Sequence, residues 1–161
     1  YPLFSADKIV SDLYKKKKFS KMLAKKFNLS SKKKIKVQIK LIVNENKNKL
    51  KILESIIHPF VRKGMNKFLK KKNKIVIFEI PLLIENKLNK HFNKIVFVDT
   101  KKKSRLKRYL KKNGDKNIFN ILNKRQLSSI VKKKICDVVV NNNYSLAILE
   151  KSAKKFIENY E

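Results

Sequence analysis

The sequence predicts an α/β fold built on a parallel sheet, and three observations support this prediction. Short apolar runs typical of buried strands occur at four places along the chain. Longer segments with apolar residues at helical spacing lie between them, so strands and helices alternate. Carboxylates stand at or just after three of the strand candidates, at Asp7, Glu79 and Asp99. Such residues are hard to place in a core, and they predict one polar edge where a charged ligand or a metal ion is handled.

The strand around which the prediction is organised is Ile75–Ile80, in the stretch IVIFEIPLLIEN. Its Ile, Val and Phe residues predict a strand buried on both faces. Pro81 has no N–H to donate to a sheet ladder, so the strand should end at or just before it. Glu79 would then lie at the edge where open α/β sheets bind ligands. Two interpretations of Glu79 are open, a solvated strand-end residue and a functional carboxylate.

The beginning of the chain is predicted to be one short strand followed by helices. Tyr1–Ala6 is apolar and predicts a strand fragment that ends at Asp7. Apolar residues at helical spacing predict helices over about Lys8–Lys18 and Phe19–Phe27. Asn28–Lys36 is a polar, lysine-rich connection.

The next segments contain an ambiguous stretch and a predicted helix break. Val37–Val43 fits either a short strand or the approach to a helix. Asn46–Ile57 has one apolar face and predicts a helix. Proline disfavours helix in the residue before it and is tolerated as a first helical residue, so a second helix should begin at Pro59. His58, at this joint, is either a local hydrogen-bonding cap or a functional residue.

The second half of the chain is predicted to alternate strands with helices, without an internal repeat. Asn113-Gly114-Asp115 is a turn signal between two of the helices. The predicted elements are a short helix or loop at Leu82–His91, a strand at Lys94–Asp99, a basic helix at Lys101–Lys112, one helix at Ile118–Lys134, a strand at Asp137–Val140 and an amphipathic helix at Leu146–Tyr160.

Composition excludes several classes of protein. Hydrophobic residues make up 42% of the 161-residue chain, which suffices for a core and argues against wholesale disorder. The apolar runs are far shorter than the roughly 20 residues that a membrane-spanning helix needs. Cys136 is the single cysteine, so an internal disulfide is ruled out and a reducing cytoplasm is expected. One domain is expected at this length.

The chain is strongly basic, since 43 Lys and Arg residues against 12 Asp and Glu give a net charge of +31. A basic surface neutralises phosphates, which predicts nucleic-acid binding. The excess is almost all Lys, however, and accompanies abundant Asn and Ile, which favours drift toward an AT-rich coding sequence. The lysine runs are also scattered along the chain, at Lys15–Lys18, Lys32–Lys34, Lys70–Lys72, Lys101–Lys103 and Lys132–Lys134. Any nucleic-acid binding is therefore expected to be non-specific.

Several short segments occur in an order and at a spacing that are more specific than any one of them. They are S-A-D-K-I-V at Ser5–Val10, I-H-P-F-V-R at Ile57–Arg62, E-I-P-L-L-I-E-N at Glu79–Asn86, V-F-V-D at Val96–Asp99, L-K-R at Leu106–Arg108, Gln126, and D-V-V-V-N-N-N at Asp137–Asn143. Together they resemble the dephospho-coenzyme A kinases, a branch of the P-loop nucleoside-kinase-like fold. The resemblance runs from Phe4 to the end of the last strand.

This resemblance implies a single kinase-like domain with a three-layer parallel sheet of the P-loop kinase type. It implies a helical acceptor-binding region at residues 11–74, a helical lid at residues 101–134 and core strands near residues 1–6, 75–80, 94–99 and 137–140. The implied reaction transfers the γ-phosphoryl group of ATP to the ribose 3′-hydroxyl of dephospho-CoA, the last step of coenzyme A synthesis, with Mg²⁺. No membrane partner is implied.

The resemblance also implies catalytic roles for Asp7 and Arg108. Asp7 would accept the ribose hydroxyl proton and orient the attacking oxygen. An N-cap of the following helix is the alternative role for Asp7. Glu79 matches a position where many relatives carry aspartate, suited to a Mg²⁺-bound water, although its longer side chain changes the reach. Arg108 matches a lid arginine that closes on the phosphates.

The remaining implied site residues fall on the acceptor side and the nucleotide side. Lys112 replaces a second lid arginine, which keeps the charge but loses the bidentate fork. Tyr144 replaces the family's glycine after the Asn run. The acceptor-side residues are His58, Pro59, Arg62, Pro81, Leu82, Leu83 and Glu85, and the nucleotide-side residues are Arg108, Lys112, Asn142 and Asn143.

The chain departs from the family in lacking the G-x-x-x-x-G-K-[ST] loop that cradles ATP phosphates. Gly64 and Gly114 are its only glycines, and neither precedes Lys-Ser or Lys-Thr. Because Tyr1 rather than Met also stands first, we expect a fragment without the first strand, loop and helix. That central strand would lie between residues 75–80 and 94–99, and its absence would leave unpaired backbone groups. The 161 residues alone are therefore expected to fold incompletely, bind ATP poorly and be inactive.

Two alternatives to a kinase remain open at this point. One is a basic nucleic-acid-binding protein on a degenerate kinase-like scaffold, and the other is a degenerate scaffold with no activity. A glycine-rich phosphate loop within about 30 residues before Tyr1 would favour the kinase.

Overall fold

The computed structural model describes residues 1–30, 34–70 and 73–160. Parts of the predicted connection Asn28–Lys36 and of the lysine runs Lys32–Lys34 and Lys70–Lys72 lie outside the described residues. The chain divides into two compact units, Tyr1–Pro81 and Leu82–Glu161. The described strands form one two-stranded parallel sheet in each unit, which confirms the predicted α/β class.

The described residues of the first unit form a parallel strand pair and four helices. Strand β1 lies beside strand β2 with Leu3 opposite Ile77 and Ser5 opposite Glu79. Strand β2 stops two residues before Pro81, as its sequence predicts. The elements are β1 (Leu3–Ser5), α1 (Ala6–Lys15), α2 (Lys17–Phe27), α3 (Ile35–Glu45), α4 (Lys47–Leu69) and β2 (Ile77–Glu79).

The helices of this unit pack around an apolar cluster. Leu23 and Ile39 are its most deeply buried side chains, with 0% and 2% of their surface exposed. A polar side chain caps the start of α4, where Asn46 Oδ1 accepts hydrogen bonds from the Asn48 and Lys49 N–H groups. The cluster consists of Leu13, Phe19, Leu23, Ile39 and Leu53.

Helices α3 and α4 correct two sequence-based expectations. The ambiguous segment Val37–Val43 is helical, because Ile39 buries its side chain against neighbouring helices. The predicted break at Pro59 is wrong, since α4 runs through it without interruption. Leu53 and Met65 are buried on either side of Pro59. Their packing outweighs the lost backbone hydrogen bond, a cost of about 3 kcal/mol for a proline inside a helix.

The second unit contains the other strand pair and four helices. Strand β3 lies parallel to β4, with Val96 opposite Val138 and Asp99 opposite Asn141. Asn113, in the left-handed backbone region, and Asp115, which caps the next helix, confirm the predicted turn. The elements are a 3₁₀ turn at Asn89–His91, β3 (Val96–Asp99), α5 (Lys102–Lys111), α6 (Lys116–Lys124), α7 (Ser129–Ile135), β4 (Val138–Asn141) and α8 (Leu146–Glu158).

The single helix predicted over Ile118–Lys134 is wrong, because α6 ends at Lys124 and α7 begins at Ser129. The Ser128 side chain caps α7 by accepting a hydrogen bond from the Val131 N–H. The Leu127 N–H bonds to the Glu85 side chain, 42 residues earlier in the chain. This tertiary hydrogen bond holds the linker in a non-helical conformation.

Burial of β2 on both faces is also wrong. Ile77 is 36% exposed and Glu79 is exposed, whereas Phe78 between them is partly buried. One face of β2 packs on aromatic side chains of its unit and the other is open in the described part of the chain. Among the described residues β2 and β3 each have one hydrogen-bonded strand neighbour, β1 and β4 respectively.

Candidate functional site

The first unit brings two predicted carboxylate residues to the same end of its sheet. Ser5, the last residue of β1, lies opposite Glu79, the last residue of β2. Helix α1 begins at Ala6, so Asp7 lies in its first turn, two residues beyond this pair. Both Asp7 and Glu79 are exposed.

The interpretation of Asp7 as the helix N-cap is wrong. The N-cap is Ser5, whose hydroxyl accepts a hydrogen bond from the Lys8 N–H at 3.4 Å. The Asp7 carboxylate is thus not needed for capping and makes no hydrogen bond or ion pair with another described residue. It is left available for a ligand.

An aromatic cluster beneath this edge fixes the strands to α4. Phe4 of β1 and Phe78 of β2 have ring centroids 5.4 Å apart, and Phe68 of α4 lies 5.7 Å and 5.6 Å from them. Gly64 of α4 faces the Ile9 and Phe4 side chains, and a methyl group there would lie 3.4 Å from both, at van der Waals contact. The three rings therefore hold the ends of β1 and β2 in a fixed relation to α4.

The predicted acceptor-side residues of α4 lie on its exposed surface. His58, Pro59 and Arg62 are all exposed. His58 and Arg62 are one turn apart, a spacing that places both on one face of the helix. Because α4 is continuous here, the interpretation of His58 as a cap at a helix joint is wrong. Pro81 is exposed at the end of the first unit.

In the second unit, Leu82 and Leu83 lie in a compact turn after Pro81. Backbone hydrogen bonds from Asn86 to Leu82 and from Leu88 to Leu83 close this turn. Leu82 has a φ of 56°, a left-handed conformation that is unfavourable for a residue with a bulky side chain. The turn is therefore held by its hydrogen bonds against local preference.

Glu85, in the same turn, is bonded to other residues of the second unit. Its Oε1 accepts hydrogen bonds from the Leu127 N–H at 2.9 Å and from Lys132 Nζ at 3.0 Å. Burial raises the pKa of Glu85, but hydrogen bonds from its own backbone N–H, Lys132 and Leu127 outweigh this, and the pKa lies below its ordinary value. Glu85 is therefore an ionised anchor whose side chain is 13% exposed.

The predicted nucleotide-side residues meet at the carboxyl end of the second sheet. Arg108 Nη2 of α5 donates to the Asn142 carbonyl at 3.1 Å. The Asn142 N–H donates to the Asp99 carbonyl at 2.8 Å, and Asn143 Oδ1 accepts from the Lys101 N–H at 2.7 Å. The two strand-to-helix loops are thus linked to each other and to Arg108.

The other residues near this edge differ in whether their side chains are paired within the protein or exposed. Asp99, expected to serve a ligand or metal, makes an ion pair with Lys133 at 2.6 Å. The Lys133 hydrogen bond holds the pKa of Asp99 below its ordinary value. Lys112 is exposed at the end of α5, one turn after Arg108, and Tyr144 is 65% exposed.

The sequence analysis missed Lys132 and Lys133 as individually placed residues. Both belonged to a run of three lysines that was attributed to composition. The run itself contained no signal that distinguishes them, because their carboxylate partners Glu85 and Asp99 lie 47 and 34 positions earlier.

In the described part of the chain, no group of three or more His, Cys, Asp or Glu side chains is placed to hold a metal ion. Mg²⁺ usually retains several waters and uses one or two carboxylates together with substrate phosphates. The exposed carboxylate of Glu79, at the same sheet edge as Asp7, fits that requirement. None of the helices formed by the described residues is long and apolar enough to cross a membrane.

Comparison with known proteins gives a consistent result. The family model described as dephospho-CoA kinase matches residues 9–147. A dephospho-CoA kinase of Fusobacterium nucleatum is 34% identical over 98% of this chain and 85% of that relative. One from Rickettsia typhi is 32% identical over 100% of this chain and 85% of the relative.

Solved structures agree with the fold. TT1252 from Thermus thermophilus superimposes with a TM-score of 0.81 at 22% identity, covering 100% of this chain and 85% of that one. A dephospho-CoA kinase from Campylobacter jejuni gives 0.62 at 24% identity, with the same coverage. At these identities the structural matches establish the fold alone.

Proposed function

The chain belongs to the dephospho-CoA kinase family, and from this premise we propose which of its residues carry the reaction. The protein is an ATP-dependent kinase of coenzyme A synthesis that phosphorylates dephospho-CoA. We assign the transfer to the ribose 3′-hydroxyl. The observation that supports the site is the parallel register of β1 and β2, which places Asp7 and Glu79 at one sheet edge.

Asp7 is the proposed base. Phosphoryl transfer depends mainly on positioning and on charge neutralisation, with a carboxylate aiming the attacking hydroxyl and accepting its proton. Asp7 is exposed at a helix N-terminus, and its carboxylate makes no hydrogen bond with another described residue.

Glu79 is the proposed metal-side carboxylate. Bound Mg²⁺ would neutralise charge on the ATP phosphates. Glu79 supplies an exposed oxygen ligand, either direct or through water, on the strand that pairs with β1.

In the first unit, the residues assigned to the acceptor lie on α4. Arg62 is the proposed partner of a substrate phosphate, since guanidinium binds phosphate through two parallel hydrogen bonds. His58 and Pro59 lie on the same exposed helix surface as Arg62. Pro81, Leu82 and Leu83 are proposed to line the acceptor.

The nucleotide is assigned to the second unit. Arg108 is the proposed phosphate-binding arginine, and its present hydrogen bond to the Asn142 carbonyl is an exposed one that ATP phosphate can replace. Asn142 and Asn143 are proposed to lie beside the adenine. Lys112 adds positive charge one turn from Arg108.

Replacement of Asp7 tests the assignment of the base. Asp7→Asn keeps the shape of the side chain but removes the proton acceptor, so kcat should fall by about 10²- to 10⁴-fold with little change in KM. The measurement is dephospho-CoA-dependent ADP release by the protein as encoded by its gene. Asp12→Asn is the matched control, because Asp12 lies on the same helix and, among the described residues, forms its ion pair with Lys15 at the surface. Full turnover by Asp7→Asn would refute the assignment.

A further inference from the structure

Helix α7 carries two adjacent lysines that form ion pairs with carboxylates from two other elements. Lys132 Nζ lies 3.0 Å from Glu85 Oε1, and the two side chains are 11% and 13% exposed. Lys133 Nζ lies 2.6 Å from Asp99 Oδ2, with exposures of 47% and 14%. Lys134, the next residue, is exposed and has no ion-pair partner among the described residues.

The Lys132 pair extends to the linker between α6 and α7. Lys132 Nζ also donates to Gln126 Oε1 at 3.2 Å and lies 5.5 Å from the centre of the Phe97 ring. Glu85 Oε1, its partner, accepts the Leu127 N–H. The linker just after α6 is thereby attached to α7, to β3 and to the turn that contains Glu85.

The Lys133 pair lies just before α5, at the other end of the stretch formed by α5 and α6. Asp99 is the last residue of β3, and α5 begins at Lys102. A pair at Asp99 therefore fixes the chain just before α5, as the Lys132 network fixes it just after α6. The α5–α6 segment, residues 102–124, contains Arg108 and Lys112.

We propose that α7 acts as a clasp, with Lys132 and Lys133 holding the two ends of the α5–α6 segment. Lys132, Lys133, Glu85 and Asp99 are then positioning residues that act through Arg108. This inference rests on the proposed function only for its effect on turnover. It gives Glu85 a positioning role in place of the predicted contact with the acceptor.

The two ion pairs differ in burial, so removing them should have effects of different size. Both partners of the Lys132 pair are nearly enclosed, and removing one partner leaves an uncompensated buried charge. The Lys133 side chain is half exposed, so solvent screens its pair more strongly. Loss of Lys132 should therefore loosen the segment more than loss of Lys133.

Single substitutions at three positions of α7 test the clasp in the protein as encoded by its gene. Lys132→Met and Lys133→Met each remove one pair, and Lys134→Met is the matched control. Amide exchange at Leu127 should become at least about tenfold faster in Lys132→Met, the factor expected for loss of one hydrogen bond of ordinary strength. Lys133→Met should speed exchange at the Lys101 N–H, which donates to Asn143 Oδ1 between Asp99 and α5, and Lys134→Met should change neither. Lys132→Arg, which keeps the charge, should retain most of the protection at Leu127.

Steady-state kinetics distinguish positioning from general destabilisation. Lys132→Met and Lys133→Met should raise the KM for ATP several-fold while leaving the KM for dephospho-CoA within about twofold. Unchanged exchange at Leu127 in Lys132→Met, or faster exchange spread evenly over the whole unit, would overturn the clasp. If Lys132→Met does not fold, exchange at the Lys101 N–H in Lys133→Met decides, and a wild-type value there would overturn the proposal. Failure of the Asp7 assignment would leave the exchange results unaffected, so the two proposals fail separately.

Discussion

The carboxylates of this chain differ in what surrounds them, and this difference separates candidates for catalysis from structural residues. The side chains of Asp7 and Glu79 are exposed, and their carboxylates make no hydrogen bond or ion pair with other described residues. Glu85 and Asp99 are nearly enclosed and paired with lysines. The sequence predicted that strand ends would carry functional carboxylates. It could not predict which ones would be neutralised, because their lysine partners are distant in the chain.

The lowered pKa of Glu85 predicts a specific dependence of stability on pH. A carboxyl whose pKa is lower in the folded than in the unfolded state stabilises the protein above the unfolded value of 4.5. That contribution is lost as the pH falls through the folded pKa. Urea unfolding between pH 7 and pH 3 should therefore show stability that declines on acidification.

Glu85→Gln isolates this contribution from the general repulsion among lysines. The variant should be less stable than wild type at pH 7, because Lys132 loses its partner, and its stability should decline less steeply below pH 5. Parallel curves for the variant and the wild type would contradict the assignment of Glu85 as an ionised anchor.

Replacement by alanine should have opposite effects on stability at the two glycines. A methyl group at Gly114 would lie against the Tyr109 ring and 2.6 Å from the Tyr109 carbonyl oxygen, so Gly114→Ala should destabilise by about 1–3 kcal/mol. At Gly64 the nearest atoms are 3.4 Å away, and Gly64→Ala should stabilise the helix by up to about 1 kcal/mol. Thermal melting of both variants measures the difference. Equal effects would show that the packing around one of the glycines is misassigned.

At the scale of elements, local sequence signals predicted most strands and helices but failed where tertiary contacts decide. The strands at residues 77–79 and 96–99 follow from Ile, Val and Phe runs that polar residues or proline terminate. The continuity of α4 and the break between α6 and α7 do not follow from such signals. Buried Leu53 and Met65 maintain the first, and the Glu85 contact with Leu127 maintains the second. Both depend on residues outside the local window.

Pro59 inside α4 predicts that alanine stabilises the protein. Pro59→Ala restores a backbone N–H and removes the ring from the preceding turn, although the unfolded chain gains freedom. The expected net increase in the free energy of unfolding is about 1–2 kcal/mol, measured by urea denaturation. Ser55→Ala, one turn earlier and exposed, serves as a nearby control for substitutions on this helix. A loss of stability in Pro59→Ala would indicate that the helix is broken at this point.

At the scale of the whole molecule, the family assignment depends on order and spacing rather than on one motif. The short segments that carry the resemblance match nearly the range that the family model covers, residues 9–147. The net charge of +31 contributed nothing to that assignment, and no comparison favours the nucleic-acid-binding alternative. Geometry added what the sequence could not predict: the register that places Glu79 opposite Ser5 and the linked loops around Arg108.

The identity of the phosphorylated position tests the central claim most directly. The protein as encoded by its gene is incubated with ATP, Mg²⁺ and dephospho-CoA, and the product is examined by ³¹P NMR. A new phosphomonoester on the ribose 3′-oxygen, formed in step with ADP and nearly abolished by Asp7→Asn but not by Asp12→Asn, is the predicted result. Phosphate on another position, or ADP release that does not depend on dephospho-CoA, would contradict the account.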